Sequence, residues 1–448
     1  MDMRKIEVNK LPIDPGPAAW NDLLVKPETA LVLNEKINSD WLVIGAGFAG
    51  LAAARRLSQL CPTDRITILE ASRVAEGPAG RNSGFMIDLP HDLTSADYGG
   101  ALDQDIKLTD DNRHAIQFAA DMANDFEMGS DVFNHSGKIN GAATAKGDKH
   151  NREYAAHLKT MGEDYQMLDA TDMKAITGTN YYQSGLFTAG TAMIQPAAFV
   201  RGISKGLKSN LIQIYENSRV KSLTQNGTWV ANTPNGSVTA PKVILAVNGH
   251  LNSFGFLPNH FMHVFTYASM TRALSSQEIT QLGGKSIWGI TPADPMGTTI
   301  RRIRSSEGNR IVVRNRFTYD PSMEVSDKRI KTVARDHDRA FQARFPMLAN
   351  VSMQYRWGGR LCLSRNNVSV VKELEDGLYS ACCQNGLGTT RGTLSGLLAA
   401  ELATGTTSPR LDRALATPNP TKLLPQFLSK PGAAAFLKWQ EMKAGAEL

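Results

Sequence analysis

Apolar and polar positions change period several times along the chain. Residues 42–44 (Leu-Val-Ile) and 66–69 (Ile-Thr-Ile-Leu) are short continuous apolar runs, which predict strands buried on both faces. Between them residues 51–57, rich in Ala and Leu, predict a helix. Residues 243–247 (Val-Ile-Leu-Ala-Val) repeat the buried-strand pattern and end at Asn248-Gly249, while 211–215 and 220–223 also read as strands. Asn226-Gly227 and Asn235-Gly236 predict hairpin turns between alternating runs. Helical patterning occupies residues 112–127, 150–159 and 197–208, and returns after the loop at 384–389 to end near Gly405. Residues 260–345 are strand-rich and irregular, and the Pro-rich, polar segment up to residue 38 reads as a surface wrap.

The first apolar run leads into Gly45-Ala46-Gly47-Phe48-Ala49-Gly50, and Glu70 closes the second run twenty residues beyond Gly50. In a strand-to-helix turn of this kind the first glycine permits the tight bend. The second lets a pyrophosphate approach the backbone, and the third lets helix and strand pack closely. The helix N-terminus offers free N–H groups to phosphates, and a carboxylate at the end of the next strand accepts from a ribose diol. The unit predicts a Rossmann-like dinucleotide site, with NAD and FAD both open. Parallel-strand segments at the start, middle and end predict an α/β fold with an interleaved, mainly antiparallel α+β substrate domain.

Composition changes this picture little. The chain has 448 residues, 42% hydrophobic and 21% charged, as in ordinary globular proteins. It contains no run of 18 apolar residues, and its first 35 residues lack a signal-peptide core, so no membrane span or export signal is expected. Four cysteines without ligand spacing predict no metal site and a reducing, cytoplasmic setting. The net charge of +6 is spread along the chain, without the basic stripe of a nucleic-acid binder.

Four stretches together resemble the D-amino acid oxidase superfamily of FAD enzymes, in the branch of glycine, sarcosine and gamma-glutamylputrescine oxidases. They are the opening unit with Glu70-Ala71, then Gly77-Pro78-Ala79-Gly80-Arg81-Asn82-Ser83-Gly84, then Gly190 to Pro196, and finally Gly386-Leu387-Gly388 before a helix. Ser83 stands where the family usually has glycine, and Gln195 where histidine is frequent. The resemblance implies FAD, bound without a covalent link. It assigns Gly80, Arg81, Asn82 and Ser83 to the pyrophosphate and ribityl chain, Val220 to adenine, and Asn248 and Gly249 to the strand end beneath the cofactor. Gly386, Leu387, Gly388 and Thr389 then meet the flavin. It also implies a division into an extension (1–38), an FAD-binding domain (39–100, 190–255, 346–405), a substrate domain (101–189, 256–345) and a tail (406–448).

The implied reaction is oxidation of a small primary or secondary amine or amino acid by hydride transfer to flavin. Imine hydrolysis then gives an aldehyde or keto acid plus an amine, and oxygen or another acceptor reoxidises the flavin. Two alternatives stay open: a flavin hydroxylase or 2-hydroxy-acid dehydrogenase, and a flavin-bearing subunit of a complex. Six arginines at 301, 302, 304, 310, 314 and 316 form a basic cluster suited to an anionic tail. Arg301 and Thr298 are candidate substrate contacts, with Met270 and Arg272 on one parity of a strand. Tyr267 has the opposite parity and would join them only across a bulge; Tyr267 and His91 are the catalytic candidates. The specific amine and the oligomeric state are left open.

Overall fold

The computed structural model describes residues 4–90, 100–424 and 426–448. Among these residues the strands form four sheets, two of which position the site. The first is six-stranded, in the order Ile212–Tyr215, Ile66–Leu69, Trp41–Ile44, Lys242–Leu245, Leu378–Cys382 and Val370–Glu375. Five strands run parallel, and the last returns as an antiparallel hairpin. Burial on both faces accounts for the continuous apolar runs: Leu42, Val43, Ile68, Val243 and Ile244 are fully enclosed.

Helices Phe48–Leu60 and Thr390–Thr404 pack together over this sheet. Glycine makes that approach possible, since a Cβ on Gly396 would stand 2.0 Å from the carbonyl oxygen of Ala49. Helix Leu102–Asp125 lies in the span read as substrate-binding, yet its Ile116, Ala119 and Met122 share a core with Leu397 and Ala400.

The predicted hairpins join Ser222–Asn226, Thr228–Asn232 and Ser237–Ala240 into a further sheet. The N-terminal segment completes it and is no surface wrap. Arg4–Glu7 pairs with Ser222–Asn226, and Lys36–Asn38 pairs with Ser237–Ala240. Between these edge strands Trp20 is buried, and its indole N–H donates to the carbonyl of Asn82 at 2.9 Å.

The eight-stranded sheet runs Met353–Ser364, Phe261–Thr271, Gly308–Tyr319, Thr299–Ser305, Trp288–Pro292, Lys138–Ala142, Ser184–Thr188, Gln166–Leu168. All its neighbours are antiparallel except Trp288–Pro292 with Lys138–Ala142. Its edge strand Met353–Ser364 comes from the span read as cofactor-binding. One face packs Phe265 and Tyr267 against Ile330 and Val333 of helix Asp327–Arg344. The opposite face, with Ala268, Met270, Val312 and Trp357, joins the core around Trp20. The chain's last residues are knit into this sheet, where Glu447 accepts from the backbone N–H groups of Ala143 and Thr144, each at 2.9 Å. No described helix is long and apolar enough to cross a membrane.

Candidate functional site

A cleft of about 240 Å3 opens along the carboxyl ends of the parallel strands, beneath the eight-stranded sheet. It begins at the glycine turn. Gly45 has φ +106°, and a Cβ there would meet Ala246 O at 2.6 Å. A Cβ on Gly50 would overlap Gly45 O at 1.8 Å, so only glycine lets the helix start against its own strand. Gly45, Gly47, Phe48 and Ala49 line the cleft; Gly50 stands behind them as packing. No side chain caps helix Phe48–Leu60, which leaves its first N–H groups directed at the cleft.

Glu70 and Ala71 continue the lining. The Glu70 carboxylate accepts from the N–H groups of Ala46 at 2.9 Å and Ser72 at 3.1 Å, while burial pushes its carboxyl upward from the usual range. Val220, Asn248 and Gly249 form the far wall.

Asn82 and Ser83 line the cleft, but Gly80 and Arg81 do not. Arg81 is buried behind the loop and donates to the carbonyls of Glu76 (2.6 Å), Pro15 (3.0 Å) and Gly358 (3.3 Å). It thus clamps the N-terminal segment and the sheet edge to the cleft wall. Burial lowers its pKa, with Asp14 and Glu76 opposing.

The end wall is the loop after strand Leu378–Cys382. Cys383, Asn385 and Gly386 all take left-handed φ values of +59°, +50° and +81°. Asn385 stays there because its side-chain oxygen accepts from the N–H of Ser364 at 2.8 Å. Thr389 donates to Phe85 O at 2.6 Å, tying the loop to the strand opposite. Gly386, Gly388 and Thr389 line the cleft, and helix Thr390–Thr404 starts there without a side-chain cap. The two uncapped helix termini, the glycine turn and Glu70 fit FAD, the group implied by the resemblance. The first helix would face its pyrophosphate, Glu70 its ribose, and the second helix its flavin end.

A second, smaller cleft of about 60 Å3 shares Ser83, Phe85, Leu361 and Gly386 with the first. Leu387 lines this one instead of the larger. Its roof is a cross-strand row. Thr299 faces Arg314 in register on adjacent strands, and Thr291, on the other side of Thr299's strand, is in register with Asn140. Thr291, Thr299 and Arg314 all line the cleft, with apolar Phe85, Ile87 and Leu361 around them. Among the described residues no carboxylate lines it.

None of the described candidate substrate or catalytic residues lies in either cleft. Met270 is buried in the core with Val312 and Trp357. Arg272 is held by Glu278 at 2.6 Å, and this pairing brings the Glu278 carboxyl down to about 2. Thr298 sits on the parity opposite to Thr299; it accepts from Asn315 at 3.0 Å and donates to the carbonyl of Leu448. Tyr267 does adjoin a bulge, yet faces helix Asp327–Arg344 and bonds Thr318 at 2.6 Å; burial pushes its phenol to about 12. Arg301 is buried and donates to the carbonyls of Ser83 (2.8 Å), Gly84 (3.2 Å) and Ile194 (2.8 Å). It lies 5.5 Å from the Trp20 ring centre and 5.4 Å from that of Phe85, and burial lowers its pKa to about 10. His91 falls outside the described residues.

The sequence reading missed Thr291, and it chose Thr298 over the adjacent Thr299. Arg314 was named only within the basic cluster. Thr299 shares strand parity with Arg301, which was the one available signal.

Comparison with known proteins agrees with this geometry. The model of the FAD dependent oxidoreductase family matches residues 40–402. A probable oxidoreductase OrdL of Rhizobium meliloti (strain 1021) is 23% identical, covering 88% of this chain and 90% of its own. The gamma-glutamylputrescine oxidoreductase of Escherichia coli (strain K12) is 24% identical over 83% and 85% of the two chains. Among solved structures, glycine oxidase from Geobacillus kaustophilus superposes with a TM-score of 0.70 at 16% identity, over 87% of this chain and all of that one. L-Amino acid deaminase from Proteus myxofaciens gives 0.64 at 15% identity, over 92% and 98%. With a glycine-lined cleft that Glu70 also lines and a family match spanning most of the sequence, the chain belongs to the FAD dependent oxidoreductases of the D-amino acid oxidase family.

Proposed function

We propose that the protein oxidises a small amine or amino acid carrying an anionic group, using non-covalently bound FAD and releasing hydrogen peroxide from oxygen. The observation that carries this reading is the smaller cleft, with Arg314 and two threonines on its roof and no described carboxylate in its lining. A guanidinium grips a carboxylate through paired N–H donors, and the cleft repels a bare polyamine. FAD, when bound, supplies a hydride acceptor for the carbon next to the amine nitrogen.

The chain's residues do the rest. Phe85, Ile87, Leu361 and Leu387 exclude water, which lowers the pKa of a bound ammonium and favours the neutral amine as hydride donor. Arg314 fixes the other end of the substrate, so the reacting carbon is held at one distance. The positive end of helix Thr390–Thr404 stabilises negative charge at the flavin end of the larger cleft. Free, buried cysteines at 362, 382 and 383 support a reducing, cytoplasmic setting.

Anaerobic addition of glycine, sarcosine, longer amino acids and aminophosphonates, one at a time, tests the reading through bleaching of the flavin band. A peroxide-coupled assay in air then separates oxidase from dehydrogenase. Bleaching by NADH or NADPH and by none of the amines would replace the reading with a hydroxylase.

A further inference from the structure

Behind the roof of the smaller cleft lies a lysine that the reaction has not yet used. Lys138 is buried, with 3% of its surface exposed, on the strand next to Trp288–Pro292. Its ammonium makes no ion pair with the described residues. Instead it donates to Asn140 Oδ1 and, at 3.4 Å, to Thr291 Oγ1. Thr291 Oγ1 in turn donates to Asn140 Oδ1 at 2.7 Å. Asn140 and Thr291 are themselves 1% and 5% exposed, so this cation, amide and hydroxyl form a closed cluster one layer behind the cleft.

An ammonium in such a place costs desolvation energy; its hydrogen bonds go to neutral oxygens, and the buried Asp88 supports its charge from further off. Thr291 is the member of the cluster that lines the cleft, and its hydroxyl proton is engaged by Asn140. We propose that Lys138 is a positioning residue for an anionic substrate group: from behind Thr291 its charge acts through space as the second half of a carboxylate site whose other half is Arg314. This inference rests on the reading of the smaller cleft as an anion site.

The surroundings make the lysine responsive near neutral pH. Burial lowers its pKa from 10.5 to about 8, opposed by the charge of Asp88. Asp88 is buried and already held by Arg113 at 3.1 Å and by the hydroxyl of Thr191 at 3.2 Å. Thr188, opposite Lys138 across the sheet, and Thr291, its hydrogen-bond partner, are neutral, and Arg314 lies two strands beyond Trp288–Pro292. Below about pH 8 Lys138 therefore adds a positive charge behind the wall of the cleft, and above it that charge is lost.

The test uses the FAD-loaded protein and acetate, a carboxylate that cannot be oxidised as an amine, titrated between about pH 6 and 9.5 at constant ionic strength. Binding is read from the perturbed visible spectrum of the flavin. Acetate affinity is expected to fall roughly tenfold as pH rises through about 8, the effect of losing one charge at this depth. Lys138→Met is expected to bind roughly tenfold more weakly at low pH and to lose the pH limb, whereas Arg314→Met weakens binding at every pH. Thr291→Val, which keeps the lysine but removes one of the two oxygens that hold its ammonium, is expected to move the limb to lower pH, and it decides the matter together with the wild type if Lys138→Met does not hold FAD. A flat wild-type profile, an undiminished limb in Lys138→Met, or an unmoved limb in Thr291→Val overturns the role of Lys138 while leaving the anion site intact. No acetate binding at any pH overturns both.

Discussion

Thr299 and Arg314 stand directly opposite one another on adjacent antiparallel strands, and both face the small cleft at the end of the larger one. The pairing places a hydroxyl and a guanidinium side by side on a rigid sheet, where neither needs a loop to position it. Arg314 also lies 4.7 Å from the ring centre of Phe317, which limits its swing.

Replacing Arg314 with Met therefore raises the KM for acidic amino acids and their analogues by about 10- to 100-fold, the worth of a charged hydrogen bond. The limiting rate of flavin reduction changes much less. Lys in its place recovers part of the loss, because it restores charge without the fork. Stopped-flow reduction measured against substrate concentration separates the two constants.

Arg301→Met has the opposite signature. The carbonyls of Ser83 and Ile194 lose the guanidinium as donor, Gly84 keeps only the N–H of Ile194, and two aromatic rings lose a cation between them. Unsatisfied buried acceptors cost about 1–3 kcal/mol each, so the melting temperature and FAD retention fall while KM in the folded fraction holds. A KM that rises with stability unchanged would place Arg301 in the substrate site after all.

Helix contact near the cofactor gives a third outcome. Gly396→Ala forces a methyl onto Ala49 O and shifts helix Thr390–Thr404 away from the glycine turn. Overpacking of this kind costs about 1–3 kcal/mol and should appear as weaker FAD binding in a fluorescence titration. Gly388→Ala is the contrast. An added Cβ there meets nothing within 4 Å of protein, so its effect falls on the occupant of the cleft and leaves apo-protein stability unchanged.

Acid destabilises this fold through buried histidine. His337 is 1% exposed, its Nδ1 bonds Ser269 at 2.7 Å, and its Nε2 has no partner among the described residues. Burial brings its pKa from 6.5 to about 3. Stability is thus complete above pH 6.5 and declines as the unfolded state takes up the proton that the folded state refuses, by about 1 kcal/mol per pH unit down to about 3. His250 and His263, which burial lowers to about 3 and about 4, add to the same trend, so thermal melts from pH 7 to 4.5 should show a steeper fall that His337→Gln reduces in part.

Cys362 lines the larger cleft, which makes the mode of FAD binding a direct test. Its thiol is pushed up by burial and by the neighbouring Cys383, so the reactive thiolate is suppressed. Acid precipitation is expected to release the yellow colour into the supernatant. Colour kept in the pellet of the wild type and lost in Cys362→Ala would mean a covalent link.

Much of the larger cleft was legible in the chain because its pieces are local. Gly45, Gly47 and Gly50 lie within six residues, Glu70 closes the next strand, and the loop at 386–389 opens its own helix, so backbone sterics and strand–helix periodicity suffice to place them. Arg81 was read as a cofactor contact, and its place behind the cleft as a clamp was not legible, since Pro15, Gly16 and Gly358 come from distant segments. The N-terminal strands escaped notice for the same reason, as their partners begin at residue 222.

The sequence by itself determined the α/β class, the glycine turn and the acid that ends its second strand, through interactions that span few residues. The tertiary structure alone decided which basic and hydroxyl residues share the small cleft. A strand's parity tells which side chains lie on one face, but the register between strands tells which of them meet. That register set Arg314 opposite Thr299 and left Arg301, two residues along the same face, beneath Trp20 and Phe85.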